Sequence, residues 1–154
     1  MPSFRRADEQ AYVIAEIGVN HEGEIEAAKA LIESAARGGA SCAKFQTYKA
    51  ETIVRPDSPA YWDLEEEPTK SQFELFKKFD GLSKADYEDL ANYCKTVGID
   101  FASTPFSLEA VRWLAPLMPF IKIASADITN VPLLREAAAQ KKPVILSTGA
   151  SDLW

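Results

Sequence analysis

Histidine occurs once in these 154 residues and cysteine twice, and no apolar run approaches the roughly 20 residues needed to span a bilayer. Each scarcity excludes something. Without such a run there is no membrane-spanning helix, and the first ten residues, with no apolar core after Arg5 and Arg6, do not read as a signal peptide. Two cysteines are too few for a disulfide framework. Cys42 falls in a strand pattern and Cys94 on the apolar face of a helix pattern, and neither has a neighbouring histidine, so both read as buried free thiols of a cytoplasmic protein. A lone His21 among scattered carboxylates defines no transition-metal site; it reads as a loop residue capping the next helix. Basic charge is also short. The net charge of −6 argues against a nucleic-acid surface, though a few converging lysines still suffice for a small anion.

What is present begins with Ala11–Thr47, which reads as strand, loop, helix, strand. Val13-Ile14-Ala15 ends in the carboxylate Glu16, and the loop Gly18-Val19-Asn20-His21 follows. Ile25, Ala28, Leu31, Ile32, Ala35 and Ala36 then recur at helical spacing until Gly38-Gly39. Cys42–Thr47 resumes an extended pattern, with Lys44 and Gln46 where a purely structural strand would be apolar. Two strands joined by one helix should be parallel. Glu16 and Lys44 should therefore project from neighbouring strands near the carboxyl edge, where such sheets place their chemistry.

Beyond this unit, residues 50–70 carry Pro56, Pro59, Pro68 and the run Glu65-Glu66-Glu67, and read as an irregular stretch, either a lid or a solvated excursion. Ser71–Phe79 reads as a short helix. Ser83-Lys84-Ala85-Asp86 resembles a capping box opening a helix with the stripe Tyr87, Leu90, Ala91, Cys94 and Val97, closed by Gly98. Strands follow at Asp100–Pro105, Phe120–Ser125 and Val144–Gly149. Between them lie one helix capped by Ser107, carrying Leu108, Val111 and Leu114, and another capped by Asn130, with Leu133, Leu134, Ala137 and Ala138 inward and Lys141-Lys142 at its end. Ser151–Trp154 reads as the first turn of one more helix.

Strands beginning near residues 13, 42, 100, 120 and 144 alternate with helices, which means an α/β fold with a parallel sheet. A flavodoxin-like sheet fits the count, but no strand ends in a Gly-rich phosphate fingerprint and every one ends in polar residues. Successive polar strand ends favour a (β/α) barrel. Barrels usually take about 250 residues, so residues 1–154 read as one incomplete domain, truncated after about the fifth strand. The strand ends offer Glu16, Lys44 with Gln46, Ser103 with Thr104, Lys122 with Ser125 and Asp127, and Ser147 with Thr148. Lysines supply point charge and hydroxyls supply donors, a set suited to a phosphate or carboxylate ligand. Glu16 and Asp127 are suited to proton transfer or to holding a metal-bound water.

The motifs Ala15–His21, Lys44-Phe45-Gln46-Thr47, Ser103-Thr104-Pro105-Phe106, Lys122-Ile123-Ala124-Ser125 and Leu146-Ser147-Thr148-Gly149 stand here in order. Together they closely resemble the N-terminal part of the N-acetylneuraminate (sialic acid) synthase family. The resemblance implies a (β/α)8 barrel followed by a small antifreeze-like domain, and a homodimer in the complete protein. It also implies condensation of phosphoenolpyruvate with an N-acetylated amino sugar such as N-acetylmannosamine, with a divalent metal (Mn or Mg) and release of phosphate. Lys44, Thr104, Lys122, Ser125 and Ser147 would cradle phosphoenolpyruvate, Gln46 would lie toward the sugar, and Glu16 near the reacting centre. The family's metal-binding histidines lie on later strands, so no metal ligand is expected here.

Two departures bear on this. Ser125-Ala126-Asp127 stands where the family commonly has Ser-Gly-Glu, a carboxylate one methylene shorter. Tyr61–Gln72 contains no asparagine where some members supply one to the sugar, which leaves legionaminic-like and pseudaminic-like products open. Two other readings compete: another phosphoenolpyruvate-condensing sugar synthase, and a non-catalytic half-barrel binding a phosphorylated metabolite. The first calls for an extra arginine-rich subsite, but Arg37, Arg112 and Arg135 fall on or beside helices and Arg55 in the long loop.

Overall fold

Five short parallel strands carry the chain's polar strand ends, and helices fill the connections between them. The structure, a computed structural model, describes residues 11–152. The signal-peptide expectation, Arg5 and Arg6, and the end of the expected Ser151–Trp154 turn lie outside those residues. Strand β1 (Ile14–Gly18) leads through helix α1 (Ile25–Arg37) to β2 (Cys42–Thr47). Helices α2 (Ala50–Ile53), α3 (Gln72–Phe79) and α4 (Lys84–Val97) precede β3 (Asp100–Pro105). Helix α5 (Leu108–Leu114) leads to β4 (Ile121–Ile123), and α6 (Val131–Ala139) to β5 (Val144–Leu146).

The named strands pair in parallel, in the orders β1-β2-β3 and β4-β5, with β4 packed beside β3. This sequential order differs from the flavodoxin-like arrangement, in which β1 lies between β2 and β3. β2 is almost wholly buried, as parallel strands are when both faces are covered. One face carries Phe45 stacked on Phe101 at 5.7 Å, and Thr47. Thr47 lines a cavity of about 210 Å³ with Tyr87 of α4 and Ala110 and Trp113 of α5, so this is the helix face. Lys44 and Gln46 alternate with these residues and belong to the other face. Ile32, Leu90, Leu114, Phe120, Ile121, Ile123 and Leu133 complete one continuous core across both groups of strands.

Local chemistry explains most boundaries. Ser83 and Asp86 make the full capping box on α4, Asp standing in for Glu, and Gly98 closes the helix at φ +82°, a conformation natural to glycine. Ser71, Ser107 and Asn130 each cap the next helix through the side chain. Several expectations need correction. Residues 50–70 open with the short helix α2, and from residue 54 to residue 70 they run as the expected irregular stretch of turns and bends, tied at one point where Pro59 pairs antiparallel with Ser71. The Trp62 indole N–H donates to the carbonyls of both Glu67 (3.0 Å) and Thr69 (3.1 Å), pinning the excursion from within. β4 stops two residues and β5 three residues short of their expected ends, because Ser125–Asp127 winds into a 3-10 turn and the chain leaves β5 after Leu146. Leu108 and Ala138 face solvent rather than the core. Lys142 donates to the Met118 carbonyl at 2.6 Å instead of serving the end of α6.

Candidate active site

Strand register brings the first group of residues together. Glu16 pairs with Lys44 across β1 and β2, and Gln46 with Thr104 across β2 and β3. Lys44 reaches Glu16 in an ion pair and donates to Thr104 Oγ1 at 3.4 Å. The burial of the pair is lopsided: the Lys44 side chain is 7 % exposed and that of Glu16 54 %. The amine is therefore held in the protein while half of the carboxylate faces water, open to a ligand.

A bulge sets the aim of Glu16. Glu16 opposes Lys44 and Gly18 opposes Phe45, so Ile17 is the extra residue. Gly18 completes the bulge at φ +59°, where a side chain is disfavoured. A Cβ built there would meet Glu16 Oε1 at 3.6 Å and Gln46 Nε2 at 3.8 Å, so those two polar groups flank a bare backbone.

Lys122 supplies the second cation. Alternation in β4 buries Ile121 and Ile123 and turns Lys122 the other way, half-buried, its amine donating to the Ile123 carbonyl at 2.9 Å. It is not a strand lysine with its head in water. Burial first, and the nearby Lys44 charge second, hold its ammonium below the ordinary lysine range, while Glu16 acts oppositely. The two lysines thus share one electrostatic neighbourhood with one carboxylate, an arrangement poised for an anion.

The remaining expected residues separate into those near this centre and those turned from it. Ser125 lies beside Gly149, whose Cβ would come 3.5 Å from its hydroxyl, so the ends of β4 and β5 meet there. Ser147 continues the β5 ladder through its N–H to the Ile123 carbonyl (3.1 Å). Ser103 points to the helix face, sharing a 2.7 Å hydrogen bond with Thr47, and is structural. Asp127 accepts from the Asn130 side chain at 2.9 Å, which ties it to the start of α6. His21 does not cap α1, whose N-cap is Glu24; its ring lies 5.9 Å from that of Phe45, and its Nδ1 accepts from the Gly23 N–H. One supporting residue escaped the sequence reading. Tyr87, taken only as part of an apolar stripe, donates its hydroxyl to the Gln46 carbonyl at 2.8 Å and anchors that strand end. A tyrosine where leucine would pack as well was the available signal.

Among the described residues no group of three or more His, Cys, Asp or Glu could hold a metal ion. Cys42 and Cys94 are buried and free, each thiol pushed up to about 12 mainly by desolvation. No described helix is long and apolar enough to cross a membrane.

With this geometry in place, similarity to known proteins becomes informative. The NeuB family profile matches residues 31–154. The chain is 39% identical over 145 residues to N,N'-diacetyllegionaminic acid synthase of Legionella pneumophila, covering 92% of this chain and 40% of that protein. It is 33% identical over 150 residues to human N-acetylneuraminate-9-phosphate synthase, covering 92% of this chain and 40% of that protein. The solved N-acetylneuraminic acid (sialic acid) synthetase of Leptospira borgpetersenii, in complex with citrate, superposes with a TM-score of 0.77 at 31% identity, over 92% of this chain and 46% of that one. The chain thus spans about two-fifths of the length of the curated relatives it matches. A profile match over most of the chain, joined to the same α/β parallel architecture, establishes that this chain belongs to the NeuB family.

Proposed function

We propose that this chain is the N-terminal part of a (β/α)8 barrel in a nonulosonic acid synthase, which condenses phosphoenolpyruvate with an N-acetylated amino sugar and releases phosphate. The sequential order β1-β2-β3, with β4 beside β3, suits the opening of a barrel. The observation that carries the chemistry is the shared neighbourhood of Lys44, Lys122, Glu16 and Thr104. Phosphoenolpyruvate brings phosphate and carboxylate charge that two partly desolvated ammonium groups would hold, each worth more there than in water. Thr104, Ser125 and Ser147 add hydroxyl donors along the same edge. Gln46, flanking bare Gly18 with Glu16, faces the side where the sugar would enter.

In the reaction so assigned, C3 of the enolpyruvate attacks the open-chain aldehyde carbon, water adds at C2, and phosphate departs. Glu16, half in water, is placed to move the proton of that water or of the forming hydroxyl. Asp127, held by Asn130, would act by positioning the turn that carries Ser125. In the complete barrel a divalent metal would polarise the aldehyde carbonyl, its ligands coming mainly from later strands; among the described residues no group of three or more His, Cys, Asp or Glu gathers.

Titration of phosphoenolpyruvate into the chain, by calorimetry, tests the anion site. Wild type should bind and the double variant Lys44→Ala plus Lys122→Ala should not; absence of binding by either would refute the site. Phosphate release from phosphoenolpyruvate and an amino sugar should require the rest of a barrel, so turnover by this chain alone would refute the domain assignment.

A further inference from the structure

His21 is the chain's only histidine and one of its most buried polar residues, 1 % exposed. Its surroundings fix its chemistry. The Gly23 N–H donates to Nδ1 at 3.0 Å, so Nδ1 carries a lone pair and the neutral ring bears its proton on Nε2. That Nε2–H is buried with no hydrogen-bond partner. An orphaned donor is costly, and a ring wanted only for packing against Phe45 would be phenylalanine. The acceptor at Nδ1 is what distinguishes histidine at this position.

The bond it makes closes a series of tight turns. Asn20 N–H reaches the Ile17 carbonyl within the bulge (3.1 Å), Glu22 N–H the Val19 carbonyl (2.9 Å), and Glu24 N–H the His21 carbonyl (2.8 Å). Glu22 and Gly23 both take positive φ, 51° and 85°, strained for the glutamate. Gly23 packs backbone to backbone on Gly81, whose Cβ would lie 3.6 Å from the Gly23 Cα. Gly81 in turn sits between Asp80 and Leu82, whose carbonyls Lys49 binds just after β2. The clasp therefore joins the strand end carrying Glu16 to the segment following Gln46.

We propose that His21 is a positioning residue for the Glu16 strand end: as a neutral, Nε2-protonated imidazole it accepts the Gly23 N–H and holds the β1–α1 loop closed, and a proton on Nδ1 opens it. Protonation turns the acceptor into a donor facing another donor, and buries a charge beside an aromatic ring. The charged groups on the elements around it are Glu22 and Glu24 on its own loop, Lys44 beside Phe45 on β2, and Lys78 and Asp80 at the end of α3. None of them offsets burial, which alone holds the imidazole below the ordinary histidine range. Because the folded state binds this proton less readily than the unfolded chain, the closed loop is fully stable above the ordinary value near 6.5 and weakens as pH falls through it.

A single histidine makes the test unambiguous. Nitrogen NMR of the imidazole in the intact chain should show an unprotonated Nδ1 and a protonated Nε2 at neutral pH, with a titration midpoint below about 6.5. Hydrogen-exchange protection at the Gly23 and Asn20 amides should fall about tenfold or more from about pH 7 to about pH 5, while the amides of β2 and β3 keep theirs. In His21→Asn, whose Oδ1 can accept the same N–H without titrating, that protection should be present and independent of pH. An Nδ1-protonated tautomer, an ordinary midpoint, an unprotected Gly23 amide at neutral pH, or equal pH sensitivity in His21→Asn would each overturn the inference. Should His21→Asn fail to fold, the wild-type tautomer and exchange profile decide it alone.

Discussion

Removing the carboxylate of Glu16 and removing the amine of Lys44 should have unequal consequences, although both break the same ion pair. Taking one partner from a fully buried pair costs about 3–5 kcal/mol, because a buried charge is left alone. Breaking an exposed pair costs about 0–1 kcal/mol. Here the lysine is buried and the glutamate half in water. Glu16→Gln leaves a buried ammonium with neutral acceptors only, the new amide oxygen and Thr104 Oγ1 at 3.4 Å, and no counter-charge, and should cost about 2 kcal/mol, between the two limits. Lys44→Met keeps the volume of the lysine stem and leaves Glu16 solvated, so it should fall within about 1 kcal/mol of wild type. The double variant should match Lys44→Met, giving a coupling energy near 2 kcal/mol. In urea, with a slope near 2 kcal/mol per M, Glu16→Gln should lower the midpoint by about 1 M and Lys44→Met by less than about half of that. Anion affinity should sort the other way, since Lys44→Met removes a ligand and Glu16→Gln removes a competitor for it. A neutral Glu16→Gln with a Lys44→Met that costs more than about 3 kcal/mol would refute the reasoning, because the amine would then be structural.

Trp62→Phe removes the donor that both the Glu67 and Thr69 carbonyls use, so limited proteolysis should cut within residues 55–70 faster than in wild type while the global urea midpoint stays put. With both thiols pushed up to about 12 by burial, neither Cys42 nor Cys94 should react with a thiol reagent at neutral pH until the chain unfolds, and reaction at the rate of a free thiol in the native state would contradict the assigned burial.

Alternation and capping were strongly written in the residues. The five strands, the Ser83 capping box, the stop at Gly98 and the pairing of Glu16 with Lys44 follow from period, turn chemistry and the parallel connection. What escaped depends on long-range partners. Nothing local says that Ser103 turns to Thr47, that Asp127 is held by Asn130, or that the tyrosine of an apolar stripe reaches the Gln46 carbonyl. Residues 50–70 are largely irregular as their prolines and acids indicate, but the short helix α2 and the Trp62 bonds that tie the excursion together depend on partners that local pattern does not name. The bulge was illegible too, because alternation alone assigns Ile17 and Gly18 to opposite faces and contains no sign of an inserted residue.

The strands fall into two ladders, β1-β2-β3 and β4-β5, which pack together without sharing a backbone ladder. Glu16, Lys44, Gln46 and Thr104 stand on one, and Lys122 on the other with Ser125 and Ser147 at its ends. Whatever anion occupies the space between the lysines therefore acts as mortar across a seam that main-chain bonds leave open. An anion bridging the lysines would add a tie between two ladders that side-chain packing alone now joins, and slower exchange of the β4 amides would report its occupancy.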